Sequence, residues 1–167
     1  NAVASIIPPQ FASVPSIVDY YTGLSKAAPN LPLLSYIFGG PTDAVALMRS
    51  LMPIATVAGS KCTGANMHEF RMILELEKEY KGPYEWTVFS GMDEECFFGA
   101  LFGAHGCIGS TLNYIPGVYR EIQAARAAGD LARGTDLQLR ANAITQILFG
   151  YGFMGAMKKE VMARLGF

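Results

Sequence analysis

Charge is scarce in this sequence, and no basic block appears in it. Charged residues make up 16%, the net charge is −1, and the Lys and Arg residues are scattered. No global field draws in nucleic acid or an anionic membrane, so neither is expected as a partner. Histidine is rarer still, with only His68 and His105. They have no HExxH spacing and no accompanying carboxylate pattern, and Cys62, Cys96 and Cys107 have no CxxC spacing, so no metal site is expected. An odd cysteine count in a chain that is neither small nor cysteine-rich favours thiols in a reducing compartment, hence a cytoplasmic protein. No signal-peptide pattern is visible. The densest apolar segment, 96–109, is interrupted by His105 and by glycines, and is too short to span a bilayer. Nucleotide-binding glycine loops are missing too. The turn after the first strand-like segment reads Ile7-Pro8-Pro9-Gln10, where a dinucleotide binder needs GxGxxG, and no GxxxxGK[ST] occurs. Gly103, Gly106 and Gly109 read as packing or turn glycines.

Apolar residues, by contrast, reach 51% of the 167 positions. Either strands are buried on both faces, or apolar surface is kept for a partner subunit. Strand-like and helix-like segments alternate about five times: strand at 2–7, helix at 16–26, strand at 31–38 ended by Gly39-Gly40, helix to 51 capped by Thr42 or Asp43, strand at 54–61, amphipathic helix at 67–80, strand at 86–90, helix at 93–102, strand at 106–110. From about Pro116 onward the pattern is helical, with breaks expected near Gly129, Gly134, Gly150 and Gly155. The alternation predicts right-handed βαβ units and an α/β fold with a parallel sheet, either doubly wound or part of a (β/α)8 TIM barrel. Residues 1–115 form the partial barrel on this reading, and 116–167 a helical segment continuing the same domain. The chain begins at Asn1 and enters a strand at once, which suggests a piece of something longer.

Chemically useful residues collect where strands end. Tyr36 lies near the end of the second strand and Lys61 at the end of the third, followed by Thr63; Gly91, Asp93 and Glu94 follow the fourth; Ser110 and Thr111 follow the fifth. In a parallel sheet these ends share one side, and in a barrel that side carries active sites. A lysine at the rim of a core is partly desolvated, which disfavours the ammonium and favours a nucleophilic amine. Each residue also has a plain reading. Lys61 can snorkel into water, Asp93-Glu94-Glu95 can cap a helix, Tyr36 can be a core aromatic, His105 a satisfied structural histidine and His68 a surface residue. Cys62, with no histidine near it in sequence, is not expected to be a nucleophile. The chemistry that uses all of the strand-end groups is Schiff-base catalysis: a lysine captures a ketone, a phenol moves the proton, and acids and hydroxyls bind a polyhydroxylated chain.

Four segments carry a resemblance to the N-acetylneuraminate lyase and dihydrodipicolinate synthase family of class I aldolases: Pro32-Leu33-Leu34-Ser35-Tyr36, Gly59-Ser60-Lys61-Cys62-Thr63-Gly64, Ser90-Gly91-Met92-Asp93-Glu94 and Gly109-Ser110-Thr111-Leu112-Asn113. The last two resemble the neuraminate lyase branch. The resemblance implies strands four to eight of a TIM barrel, Lys61 as the Schiff-base lysine and Tyr36 as the proton-relay phenol. It places Thr63, Gly91, Asp93, Glu94 and Ser110 around the sugar chain. It implies reversible cleavage of N-acetylneuraminate to N-acetylmannosamine and pyruvate, with no cofactor, a small-molecule keto acid or sugar as partner, and a homotetramer.

The chain also departs from the family. Ile37-Phe38-Gly39 stands where the family often has Asn-Ile-Pro or His-Ile-Pro, and Pro9-Gln10-Phe11 where some members place a second tyrosine. The first three βα units, with their carboxylate-binding loop, are not in this sequence. The alternatives are another pyruvate-dependent aldolase of the family or a non-catalytic half-barrel binding module. An open arc of strands leaves two edges free to pair, so the 167 residues alone are expected to be inactive and aggregation-prone.

Overall fold

The computed structural model describes residues 1–38 and 43–167; the expected strand stop at Gly39-Gly40 and the alternative cap Thr42 lie outside them. The chain forms two compact units. The first holds residues 1–89 and 103–105, the second 90–102 and 106–167.

The first unit is built from β1 (Val3–Ile6), α1 (Val14–Ala27), β2 (Leu33–Phe38), α2 (Ala44–Leu51), β3 (Val57–Thr63) and α3 (Met67–Glu75), with most of β4 (Thr87–Ser90). Local chemistry explains the helix starts. Ser13 and Ser16 form a capping box ahead of α1, Asp43 accepts the Ala46 N–H at 2.9 Å, and Asn66 accepts the Glu69 N–H at 3.1 Å. Strand order follows chain order from β1 to β4, and the β1–β2 and β2–β3 pairs are parallel. Helices cover one side of this sheet. Ile17 and Tyr21 from α1, Leu47, Met48 and Leu51 from α2, and Phe70 and Ile73 from α3 pack with Leu33 and Val57 into one cluster. Each such side chain contributes about 1.5–3 kcal/mol on burial. Trp86, fully buried, donates its indole N–H to the Ile73 carbonyl at 3.1 Å.

Four details differ from the sequence reading. The third strand begins at Val57, because residues 54–56 turn after α2 and the Val57 N–H bonds to the Ile54 carbonyl. It then runs on through Cys62 and Thr63, so Lys61 lies within the strand and does not end it. β1 and β4 alternate between more and less buried positions, where continuous burial was expected. In β1 the open positions are Ala4 and Ile6. The amphipathic helix stops at Glu75, and a 3₁₀ turn, Leu76–Lys78, follows.

In the second unit a 3₁₀ turn (Asp93–Glu95) leads into α4 (Cys96–Leu101), where one continuous helix was expected. Next come β5 (Gly106–Cys107), shorter than the expected strand, and α5 (Pro116–Ala127), α6 (Leu131–Gly150) and α7 (Phe153–Arg164). Cys96, Phe97, Tyr119, Ile122, Ala125, Leu137 and Ala141 form its core. Helix breaks fall at Gly129 and Gly152, both with positive φ. Gly134 and Gly155 lie inside helices, contrary to expectation. Gly134 is there for packing: a Cβ would come within 2.2 Å of the Phe97 ring. No helix among the described residues is long and apolar enough to cross a membrane.

Candidate active site

Tyr36 and Lys61 are direct partners in the β2–β3 register. Residues two apart along a strand share a face, so Leu34, Tyr36 and Phe38 stand beside Gly59, Lys61 and Thr63 on one side of the sheet. Ile6 of β1, partnered with Tyr36, joins that side. Phe38 and Ile6 are 63% and 47% exposed, which makes this the open side of the first unit. The Lys61 Nζ lies over the Tyr36 ring, 3.9 Å from its centre. The negative face of a phenol ring attracts a cation there, by about 0.5–2 kcal/mol.

Several interactions fix this pair. Gly59 has φ +141°, and a Cβ at that position would sit 1.8 Å from the Thr87 carbonyl oxygen, so the close approach of β3 to β4 requires glycine two residues before Lys61. Tyr21, fully buried on α1, donates its hydroxyl hydrogen to the Ser5 carbonyl at 2.5 Å and accepts the Tyr36 N–H at 3.3 Å. Burial pushes the Tyr21 phenol above its ordinary range. The Ser60 hydroxyl donates to the Ser35 carbonyl at 2.9 Å. Ser60 and Cys62, the chain neighbours of Lys61, face the opposite side. Burial pushes the Cys62 thiol up to about 11, partly offset by the Ser60 hydroxyl, consistent with its being inert as a nucleophile. Thr63 is buried, and its Oγ1 has no hydrogen-bond partner among the described residues. A cavity of about 360 Å³ is lined by Ile37, Cys62, Thr63, Asn66, Glu69 and Phe70 among others; Tyr36 and Lys61 are not among its lining.

In the second unit Gly91, Glu94 and Ser110 are half-buried and Asp93 is buried. Asp93 Oδ2 accepts both the Thr111 N–H and the Thr111 hydroxyl, each at 2.8 Å. The Tyr119 hydroxyl lies 2.6 Å from Thr111 Oγ1, and burial raises that phenol above its usual range. Asp93 Oδ1 is buried without a partner among the described residues, against Gly109, where a Cβ would fall 1.2 Å from it. One carboxylate oxygen thus clasps the loop after β5, and the other has no partner among the described residues. Burial, and then the neighbouring Glu94, raise the Glu95 carboxyl.

Two side chains absent from the sequence reading organise this turn. Gln138 on α6, 1% exposed, accepts the Phe97 N–H at 2.8 Å and donates to the Asp93 carbonyl at 3.0 Å and to Asn142 Oδ1 at 2.8 Å. Asn142 donates to the Glu94 carbonyl at 3.0 Å. A signal existed, since Gln138 and Asn142 fall one helical turn apart in line with Gly134, Ala141 and Thr145, but nothing local named their partners. His68 is exposed as expected. His105 is also exposed, although its Nδ1 accepts the Val88 N–H at 3.1 Å; it is satisfied without being interior, because the apolar segment turns outward there. Among the described residues no group of three or more His, Cys, Asp or Glu could hold a metal ion.

Known proteins share this arrangement of elements. N-acetylneuraminate lyase of Rhizobium meliloti (strain 1021) is 30% identical over 158 residues, 92% of this chain and 50% of that protein. N-acetylneuraminate lyase A of Xenopus laevis is 26% identical over 172 residues, 99% of this chain and 54% of that one. The solved structure of Proteus mirabilis N-acetylneuraminate lyase aligns with a TM-score of 0.85 at 27% identity, over 98% of this chain and 55% of the other. The chain therefore spans about half the length of the relatives it matches, as expected for part of a barrel. The model of the dihydrodipicolinate synthetase family matches residues 3–167, and with the strand order, the parallel register and these relatives it establishes that the chain belongs to that family.

Proposed function

We propose that this chain is the lysine-bearing part of a Schiff-base-forming aldolase that reversibly cleaves N-acetylneuraminate to N-acetylmannosamine and pyruvate. The observation that carries the reading is the Tyr36–Lys61 pair, a phenol and a primary amine facing each other across adjacent parallel strands. The neutral amine of Lys61 adds to the keto carbon of the substrate, and loss of water leaves a protonated imine. A base removes the proton of the hydroxyl beyond the scissile bond. That carbon–carbon bond then breaks, its electrons flow into the imine to form an enamine, and the aldehyde leaves. Protonation of the enamine carbon and hydrolysis release pyruvate and regenerate the amine. Tyr36 is the group assigned to the proton transfers.

Thr63, Gly91, Asp93, Glu94 and Ser110 are assigned to the hydroxylated chain. Thr63 Oγ1 and Asp93 Oδ1 support this, since each is a buried polar atom with no hydrogen-bond partner among the described residues. The names of the relatives favour N-acetylneuraminate over other 2-keto sugar acids. The activity belongs to the complete protein, working in the cytoplasm as a homotetramer.

Borohydride reduction of the complete chain with pyruvate tests the assignment. A pyruvate-derived mass is expected on Lys61 and absent in Lys61→Ala. Labelling at another lysine removes Lys61 from the mechanism, and no labelling at all favours a binding module. A product assay over a panel of 2-keto acids then separates N-acetylneuraminate from its relatives.

A further inference from the structure

The proposed chemistry gives no part to α6, yet two of its side chains hold the turn that carries Asp93 and Glu94. That turn has no local cap: neither the 3₁₀ turn (Asp93–Glu95) nor α4 receives a side-chain hydrogen bond from its own N-cap residue. Backbone groups at a helix start need partners, and here they come from 41 to 48 residues further along the chain. Gln138 Oε1 accepts the Phe97 N–H, while Nε2 uses both hydrogens, one on the Asp93 carbonyl and one on Asn142 Oδ1. The Gln138 amide therefore fits one way round, because a flip would set N–H against N–H. Its bond to Asn142 Oδ1 turns the Asn142 Nδ2 toward the Glu94 carbonyl, 3.0 Å away. Gly134, one helical turn earlier on α6, has no Cβ to strike the Phe97 ring, so the helix comes close enough for both amides to reach.

From this geometry we propose that Gln138 and Asn142 are positioning residues for the aldehyde half of the substrate. They set where Asp93 and Glu94 meet the hydroxylated chain, and they leave capture of the keto acid by Lys61 untouched. The inference rests on the assignment of Asp93 and Glu94 made above. Both amides act on backbone groups, so they fix the place of the turn and not the charge of its side chains. The Asp93 side chain is tied a second time, to Thr111, which leaves the bond from Asn142 to the Glu94 carbonyl as the more sensitive point. Lys61 and Tyr36 are held within the first unit, by the β2–β3 register, Gly59 and Tyr21. A small displacement of a substrate-holding group is enough to weaken productive binding, and here it would fall on one reactant only.

The test runs the complete protein in the condensation direction, where the two halves are separate reactants. In Asn142→Asp a carboxylate oxygen replaces the N–H that met the Glu94 carbonyl. The KM for N-acetylmannosamine is expected to rise about ten- to hundredfold. The pyruvate concentration that half-saturates borohydride trapping on Lys61 should stay within about twofold of wild type. Asn142→Ala, which removes the bond without adding charge, should give the same split with a smaller rise. Gln138→Glu, which keeps the acceptor for the Phe97 N–H and loses the donor, should show it too. A merely structural role would lower the folded fraction, and with it the rate, without moving either constant. The proposal is overturned if the KM for N-acetylmannosamine in the Asn142 variants lies within about twofold of wild type, or if the pyruvate constant rises in step with it. Asn142 is half-buried and alanine is a strong helix former, so Asn142→Ala decides the matter even if Gln138→Glu does not fold. A wild type that traps pyruvate but condenses it with no N-acetylmannosamine overturns the activity proposed above and this inference with it. A wild type that condenses the two, with variants that show no split, overturns this inference alone.

Discussion

Lys61 and Tyr36 face each other across β3 and β2, with the lysine nitrogen 3.9 Å from the centre of the tyrosine ring. The contact is through the ring face, so ring and hydroxyl are separable contributions. Tyr36→Phe keeps the ring and removes the hydroxyl. In the complete protein it should still trap pyruvate on Lys61 while turnover falls by about 10²–10⁴-fold. Steady-state assay alongside borohydride trapping measures both; unchanged turnover would take the phenol out of the mechanism.

Gly59 makes a harsher demand. In Gly59→Ala the new methyl collides with the Thr87 carbonyl at a φ that side-chain-bearing residues avoid. A loss of about 3–5 kcal/mol in unfolding free energy is expected. Gly23→Ala is the matched control: it lies within α1 with open space around it, and should stabilise by about 0.5–1 kcal/mol. Urea denaturation of both variants checks the contrast.

Gln138 satisfies buried groups at both ends of its amide. Gln138→Leu leaves the Phe97 N–H and the Asp93 carbonyl without this partner, for an expected cost of about 2–4 kcal/mol. Hydrogen exchange should show the Phe97 amide losing protection before amides in the first unit. Equal loss across both units would mean that the residue acts only on global stability.

Cys62 predicts a pH dependence. Its folded-state thiol titrates near 11 against an ordinary value of 9.0, raised chiefly by burial. The stabilisation is therefore complete below about pH 9 and lost as pH rises toward 11, because the unfolded chain gives up the proton first. A shift of two units corresponds to about 2–3 kcal/mol. Comparing wild type with Cys62→Ala at about pH 8 and about pH 10.5 isolates this group. Parallel stability curves over that window would show that the buried thiolate costs nothing.

Much of the fold was legible because parallel βα units announce themselves locally. Apolar runs mark the strands, Asp43 and Asn66 mark two of the helix starts, and the amphipathic spacing of Met67, Phe70, Ile73 and Leu74 marks the buried face of α3. The errors were of another kind. Residues 54–56 are as apolar as a strand but are drawn into a turn by a backbone hydrogen bond. Gly134 looks like a helix stop but is a contact surface for Phe97.

The sequence by itself determined the alternation of elements, the family motifs and the candidate amine, because each is written in consecutive residues. Only the tertiary structure decided that Tyr36 and Lys61 share a register, that Tyr21 and Gln138 hold the strand-end segments, and that Asp93 commits one oxygen to Thr111. Those facts depend on hydrogen bonds between residues many positions apart. A side chain's type limits which bonds it can make, and packing alone selects its partner.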